Sequence, residues 1–486
     1  MKRMRWYDYI TYNIYWLGLN MSSGSLTPII LPVLVAQFVG EAMKGTYLGV
    51  LRSAGLIVAI LVQPAAGMLS DRSTLRWGRR RPLILTGAIL SIGCLALIGI
   101  AGSYWVLFAA VLLMQFASNI AHGALQGVIP DLVPADQRGR ASAVKAVMEL
   151  LPVVLVAFTT GKMVAAGNVW GAILVIMAAF LITMLITMVA VREEPLKEKI
   201  TTPLGPPLLR IVLLTAIFTV VTTVFGGLVA FVGRLLAGRG TMQLVAVAIA
   251  GLVAMAGSIV IGVWWSARVG IGEGARKYPW FTWWVINRLL YLAAIGSIQG
   301  FALYFLQNVV HVPNAVKATS NLMMVVGICT LVSAVPSGWL SDKFGRKRLL
   351  ALAGIVAAVG TAGLLFARDM TMVTVCGMII GLSVGIFMTV NWALGTDLVP
   401  AAEAGLYLGV SNLAGAGAGV VGAGIGGPMA DFFEAYQPGL GYLIIFAIYA
   451  ALFALSTVTL AKVKISRQPL QTLPRTQGGV PERGAQ

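Results

Sequence analysis

Gly67-Met-Leu-Ser-Asp71-Arg72-Ser-Thr-Leu-Arg76-Trp-Gly78-Arg79-Arg80-Arg81 and Gly338-Trp-Leu-Ser-Asp342-Lys343-Phe-Gly345-Arg346-Lys347-Arg348 are two versions of one basic loop, each set between long apolar runs. Their leading Gly and Asp positions stand 271 residues apart. A short charged loop between apolar helices, repeated half a chain later, describes a duplicated membrane unit with both loops on one side of the bilayer.

Composition supports a bilayer before any motif does. The chain of 486 residues is 58% hydrophobic and 11% charged, with a mean hydropathy of +0.89. A soluble fold of this size has nowhere to place so much apolar surface, whereas lipid solvates it. The net charge of +18 does not indicate nucleic acid, because the Lys and Arg lie in gaps between apolar runs instead of clustering on one folded face. Cys94, Cys329 and Cys376 fall inside apolar runs without metal-ligand spacing and read as small core residues. No metal or cofactor is expected, and no Walker A loop points to ATP. The basic, aromatic N-terminus reads as the start of the first span and not as a cleaved leader.

A spanning helix needs about 20 mostly apolar residues. That criterion selects runs near 13 to 38, 46 to 69, 82 to 101, 104 to 130, 141 to 164 and 169 to 191, then 208 to 232 and 241 to 265, then 280 to 309, 316 to 340, 349 to 367, 371 to 396, 404 to 430 and 438 to 461. The expected architecture is all-α with fourteen transmembrane helices. Residues 1–191 form a six-helix half, 192–279 the linkers and a two-helix insert, 280–465 a second six-helix half, and 466–486 a disordered cytoplasmic tail.

With both termini cytoplasmic, 27 of the 35 Lys and Arg fall in inner segments, as the positive-inside rule requires. Arg234 and Arg239 run against this trend, in the outer turn of the insert. A second repeat supports the duplication: Pro130-Asp131-Leu-Val-Pro134-Ala recurs as Thr396-Asp397-Leu-Val-Pro400-Ala at an offset of 266. Parallel repeats of this kind place a solute site near the midplane between the halves and permit alternating access by rocking.

Charges at bilayer depth cost roughly 2.5 to 3.5 kcal/mol each at a helix centre and tend to be kept for function. Arg52, Glu149 and Arg288 are such charges. Gln115, Asn119, His122 and Gln126 step by 4, 3 and 4 residues and share one helical face. They read as a hydrogen-bonding wall for a polar solute, or as interhelical bonds that hold the bundle. Glu149 is the candidate proton carrier, its alternative being a fixed ion pair with Lys145, Arg52 or Arg288. His122 could titrate near neutral pH or serve as a structural partner. Gln299 and Asn391 complete the candidate solute and proton pathway in the second half. The aromatic clusters Trp6 to Trp16 and Trp280 to Trp284 read as interfacial anchors, with carbohydrate stacking as the alternative for one or two members. The glycine-rich run near 404 to 430 suits either a sliding helix or tight static packing.

The loop pattern Gly-x-Leu-x-Asp-[Arg/Lys]-x-Gly-[Arg/Lys]-[Arg/Lys]-[Arg/Lys], matched without a gap by Gly338 to Arg348, resembles the signature loop of the major facilitator superfamily. The first copy, four residues longer, resembles the loop of plant sucrose transporters and of glycoside, pentoside and hexuronide cation symporters. The resemblance implies a secondary transporter with two six-helix halves, and the narrower one a proton-coupled sugar or glycoside symporter. Where the sucrose transporters carry an arginine implicated in coupling, this chain has Gln126. The insert resembles that of fourteen-helix drug/proton antiporters, so a proton-coupled exporter stands as the alternative, followed by a non-transporting receptor or assembly factor.

Gly67, Asp71, Arg72, Gly78 and Arg79, with Gly338, Asp342, Lys343, Gly345 and Arg346, are then expected to latch the cytoplasmic side when it closes, the aspartates facing positive helix ends and nearby arginines. Asp131, Arg138, Arg140, Asp397 and Glu403 end matching helices and are expected to pair across the interface. The basic residues also suit anionic lipid headgroups. The expected partners are a small-molecule solute, a coupling proton or other cation, and those lipids, with no nucleic acid. The expected state is a monomer in the cell membrane.

Overall fold

Within hydrocarbon no water is available to bond backbone N–H and C=O groups, so each apolar run must satisfy them internally as a helix. The computed structural model describes residues 4–134, 137–191, 193, 204–272, 274–398 and 404–464. It contains fourteen helices long and apolar enough to cross a membrane and, among the described residues, no strand. The first half comprises α1 (Trp6–Val39), α2 (Lys44–Asp71), α3 (Arg81–Gly99), α4 (Tyr104–Leu132), α5 (Arg138–Ala165) and α6 (Val169–Ala190). The insert is α7 (Gly205–Leu235) and α8 (Thr241–Ile271). The second half comprises α9 (Pro279–Asn308), α10 (Ala315–Phe344), α11 (Arg346–Leu364), α12 (Met370–Asp397), α13 (Ala404–Glu434) and α14 (Leu440–Lys462). The chain is a multi-pass membrane protein.

Several helices run past the apolar runs that announce them. The first begins at Trp6, seven residues ahead of its apolar core, because the Asp8 carboxylate accepts the Arg5 N–H at 2.7 Å and satisfies one orphan donor of the first turn. It passes Pro28 through a π-helical turn, Leu26–Ile30, the usual accommodation where proline removes a ladder bond. Both insert helices have 31 residues, which takes Arg210 and Arg268 inside helix ends.

The duplication recurs in local chemistry. Ser103 caps α4 by accepting the Val106 N–H, and Asp369, 266 positions on, caps α12 by accepting the Met372 N–H at 2.8 Å. In the basic loops Gly78 and Gly345 both hold positive φ, +102° and +91°, backbone that side chains rarely adopt. That requirement is the physical reason for glycine at both places.

We call the side carrying the α2–α3 and α10–α11 loops the basic face, and the other the opposite face. Interhalf hydrogen bonds concentrate toward the opposite face. Tyr304 Oη donates to the Pro32 carbonyl at 2.8 Å, Ser53 Oγ to the Val420 carbonyl, and Arg52 to the Gly296 carbonyl at 2.9 Å. The start of α2 lies directly on α13, where a Cβ at Gly45 would meet the Gly427 carbonyl at 2.9 Å. Lys44 is fully buried there, 2.5 Å from Glu41 and 3.0 Å from Asn308, with its ammonium over the Tyr304 ring. The described contacts thus seal the opposite face.

The insert packs as a hairpin on α13, with α7 also reaching α2 and α8 reaching α9 and α14. Its outer surface, including Val220, Val224, Phe231 and Ile249, stays exposed and apolar, as a surface solvated by lipid must be. Cys94 and Cys376 are buried and Cys329 partly so, all as free thiols.

Candidate functional site

The polar stripe of α4 faces inward, as a polar face on an apolar span must. It lines a cavity of about 380 Å³ with Trp16 and Asn20 of α1, Gln63 of α2, and Lys145 and Glu149 of α5. Asn119 Nδ2 donates to the Gln115 side-chain oxygen at 3.2 Å, and Gln126 Nε2 lies 3.3 Å from His122 Nε2. The stripe therefore holds its own rotamers while leaving lone pairs and N–H groups toward the cavity. Trp16 meets the His122 ring edge-on at 5.0 Å, and the Lys145 ammonium sits 4.0 Å above the Trp16 ring. Lys145 also pairs with Glu149 at 3.4 Å, one turn apart on the same helix.

Glu149 is about one-third exposed, at 36% of its side chain, so the pair is wetted from the cavity. The arrangement offers hydroxyl-bonding amides, an aromatic face, and a carboxylate whose protonation would release a neighbouring ammonium. Of the sequence alternatives for Glu149, the pair with Lys145 is the one present. Arg52 and Arg288 lie elsewhere.

All residues lining this cavity belong to the first half. In this conformation it does not reach the second half, which the sequence expectation of a site between halves included. Arg52 inserts between the halves, stacked near Phe301, with its Nη1 buried and unpartnered among the described residues. Arg288 donates to Ser411 Oγ at 2.9 Å and Asn412 Oδ1 at 3.1 Å, beside the partly exposed Trp392 ring. Asn391 is buried and donates to Asn287 Oδ1, a contact within the second half. Gln299 is exposed and outside the cavity.

The basic loops form two matching clamps. In the first half Arg80 donates through Nε to Asp131 at 2.6 Å, through Nη2 to Asp71 at 2.9 Å, and through Nη1 to the Ala124 carbonyl. Arg79 joins Asp131 at 2.5 Å. In the second, Arg346 pairs with Asp397 at 2.6 Å and Asp342 at 3.5 Å and donates to the Ala393 carbonyl. Each clamp ties the end of the second helix of its half to the end of the fourth. These pairs lie inside each half, whereas the interhalf hydrogen bonds of the described residues lie toward the opposite face. The expected pairing of Asp131 and Asp397 across the interface is replaced here by pairing at home.

Gly67 packs 3.5 Å from the Gly123 carbonyl by its would-be Cβ, and Gly338 faces Thr389 at the equivalent crossing. Arg72 forms the C-cap of α2. Arg138 donates to the Val133 and Pro130 carbonyls and so closes the α4–α5 turn. Arg140 is exposed, and Lys343 lies over Trp339 and Phe344. Glu403 lies outside the described residues.

Sequence reasoning did not single out Arg80, Trp16, Asn20, Gln63 or Glu193. Glu193 follows α6 and accepts the Arg80 N–H at 2.7 Å, which holds the first loop in place. In a run of three arginines no spacing rule identifies the central one as the clamp. Asn20 and Gln63 do carry a signal, as isolated amides within apolar runs.

Comparison with known proteins bears on this geometry. A family model described as Major Facilitator Superfamily matches residues 15–316 and 291–482. Sucrose transport protein SUT1 of Oryza sativa subsp. japonica is 28% identical over 187 residues, 31% of this chain and 35% of that protein. The general alpha-glucoside permease of Schizosaccharomyces pombe is 29% identical over 137 residues, 25% of this chain and 22% of that one. Glucose transporter GlcP of Staphylococcus epidermidis is 33% identical over 111 residues, 23% and 24% respectively. The matched stretches thus span about a third or less of these relatives. Among solved structures, the nucleoside transporter NupG superposes with a TM-score of 0.63 at 12% identity, covering 94% of this chain and 100% of that one. A POT family transporter in complex with 5-aminolevulinic acid gives 0.65 at 13% identity, covering 92% and 94%. At such identities the likeness is one of fold.

Proposed function

This chain belongs to the Major Facilitator Superfamily, and on that premise we propose that it is a proton-coupled symporter for a sugar or glycoside, working by alternating access with its basic face in the cytoplasm. The observation that carries the reading is the Lys145–Glu149 pair set beside Trp16 and the amide stripe of one cavity. The named activities of the sucrose, alpha-glucoside and glucose relatives support the choice of solute class.

In the proposed cycle a proton entering from the opposite face neutralises Glu149. Lys145 is then released from it, and sugar hydroxyls exchange hydrogen bonds with Gln115, Asn119 and Gln126 while one sugar face lies against Trp16. Rocking opens the basic face, where most Lys and Arg reside and where the positive-inside rule places the cytoplasm. There the proton leaves, Glu149 pairs again with Lys145, and the solute is freed. The rigid clamps at Arg80 and Arg346 let each half move as one body.

Counterflow in proteoliposomes tests the solute pathway without requiring a proton gradient. Labelled disaccharide should exchange against unlabelled in wild type and in Glu149→Gln, and should fall in Trp16→Ala. Exchange of lipophilic cations but of no sugar would overturn the reading.

A further inference from the structure

Arg234 and Arg239, the two arginines that run against the charge trend, lie at the opposite-face turn of the insert, and no Asp or Glu occurs between Glu198 and Glu273. The acids of that face in α1–α2 and α13 are engaged elsewhere. Asp431 accepts the Gly45 and Thr46 N–H groups, Glu434 accepts from Asn308, and Glu41 pairs with Lys44. Arg234 is exposed at the mouth of a groove of about 920 Å³ walled by α2, α7, α8 and α13. Beyond Arg234 and Gln243 at that mouth, the wall is mostly apolar, with side chains such as Val50, Ile57, Val229 and Ile425, and the hydroxyls of Ser53, Thr219 and Thr223 that also line it donate to helix carbonyls. Gln243 does not answer Arg234 either, since its amide donates to the Gly233 carbonyl at 2.7 Å.

From Thr219 to Arg234 the groove follows α7 for about 22 Å at 1.5 Å per residue. This exceeds the roughly 15 Å half-thickness of a hydrocarbon core of about 30 Å. The groove is therefore long enough to hold, along the chain's whole length, an acyl chain hanging from a headgroup at the opposite interface. We propose that this groove is a phospholipid site, with acyl chain packed between α2, α7 and α13 and the phosphate paired with Arg234. The guanidinium fork suits a phosphate, and the pairing explains why a cation is retained on the side that membrane insertion disfavours.

The test uses the full chain, extracted in mild detergent and titrated in native mass spectrometry with phosphatidylglycerol or with a diacylglycerol of the same chains. Gly226→Leu with Gly227→Leu fills the groove. A Cβ at Gly227 meets nothing within 4 Å and one at Gly226 only Ile425 at 3.9 Å, so the change should not disturb the fold. Wild type should retain one phosphatidylglycerol per chain that the filled variant lacks at an unchanged melting temperature. Arg234→Gln should bind it about tenfold more weakly, as expected on losing one charge-assisted pair. Equal retention by the filled variant, or diacylglycerol bound as tightly as phosphatidylglycerol, would overturn the proposal. If the filled variant does not fold, Arg234→Gln still decides, and unchanged affinity there would also overturn it.

Discussion

The Asp431 carboxylate of α13 accepts the Thr46 backbone N–H of α2 at 2.6 Å across the boundary between the halves, its other oxygen taking the Gly45 N–H at 2.9 Å. The first N–H groups of a helix have no partner within it and carry the positive end of its dipole. One carboxylate thus holds the second half onto a helix start of the first. Asp431→Asn keeps the shape and removes the charge, and hydrogen bonds to charged groups contribute about 1.5–3 kcal/mol. Spin labels at the exposed Met43 and Tyr436 should report a population shifted about tenfold or more toward longer distances. An unchanged distribution would show that the carboxylate does not hold this face closed.

Arg80 and Arg79 are neighbours with different burdens. The Arg80 side chain is 6% exposed and joins Asp71 to Asp131, whereas Arg79 is 25% exposed and adds to Asp131 alone. Breaking a buried pair by removing one partner costs about 3–5 kcal/mol, and a more exposed pair about 0–1. Thermal unfolding in detergent should fall much further for Arg80→Gln than for Arg79→Gln. The reverse order would sink the clamp assignment.

The two loop glycines separate strain from contact. At Gly345 a Cβ meets nothing within 4 Å, so Gly345→Ala costs only backbone strain, about 1–3 kcal/mol at φ +91°. At Gly78 a Cβ would also press on Glu193 Oε2 at 2.6 Å and push that carboxylate off the Arg80 N–H. The melting temperature should drop in both variants and further in Gly78→Ala. Equal drops would mean that Glu193 moves aside freely.

Trp16 is 4% exposed, packed between His122 and Lys145 at the cavity. Losing the ring face against which the sugar is proposed to lie removes about 0.5–1.5 kcal/mol. Apparent sugar affinity in counterflow should weaken by up to about tenfold in Trp16→Leu, while Trp6→Leu, on the exposed end of α1, should change little. Similar losses in both would point to general damage to α1.

The fold was legible because its signals repeat. Hydropathy marked each span, and the loop glycines and aspartates at matching offsets revealed the duplication. Both loop glycines prove to need positive φ, so the repeated letters recorded a repeated backbone. The stripe from Gln115 to Gln126 was legible by periodicity, as was the one-turn spacing of Lys145 and Glu149. Tertiary partners were not. Arg52 read as a pathway charge, but α9 offers it the Gly296 carbonyl and a gap at Gly300 that any side chain would fill. Trp16 belonged to an aromatic cluster typical of an interface, and only the crossing of α1 over α4 and α5 brings it to the cavity. Arg80 became distinct from its neighbours only once α2 and α4 ended beside it.

Coupling is the central claim, and proton movement tests it most directly. Proteoliposomes containing a pH dye should acidify when a transported disaccharide or glycoside is added outside to wild type, and should not when the protein is Glu149→Gln, although that variant still exchanges sugar. Acidification that survives Glu149→Gln would remove this residue as the carrier. Sugar exchange with no proton movement in wild type, or proton release driven by a lipophilic cation, would contradict symport itself.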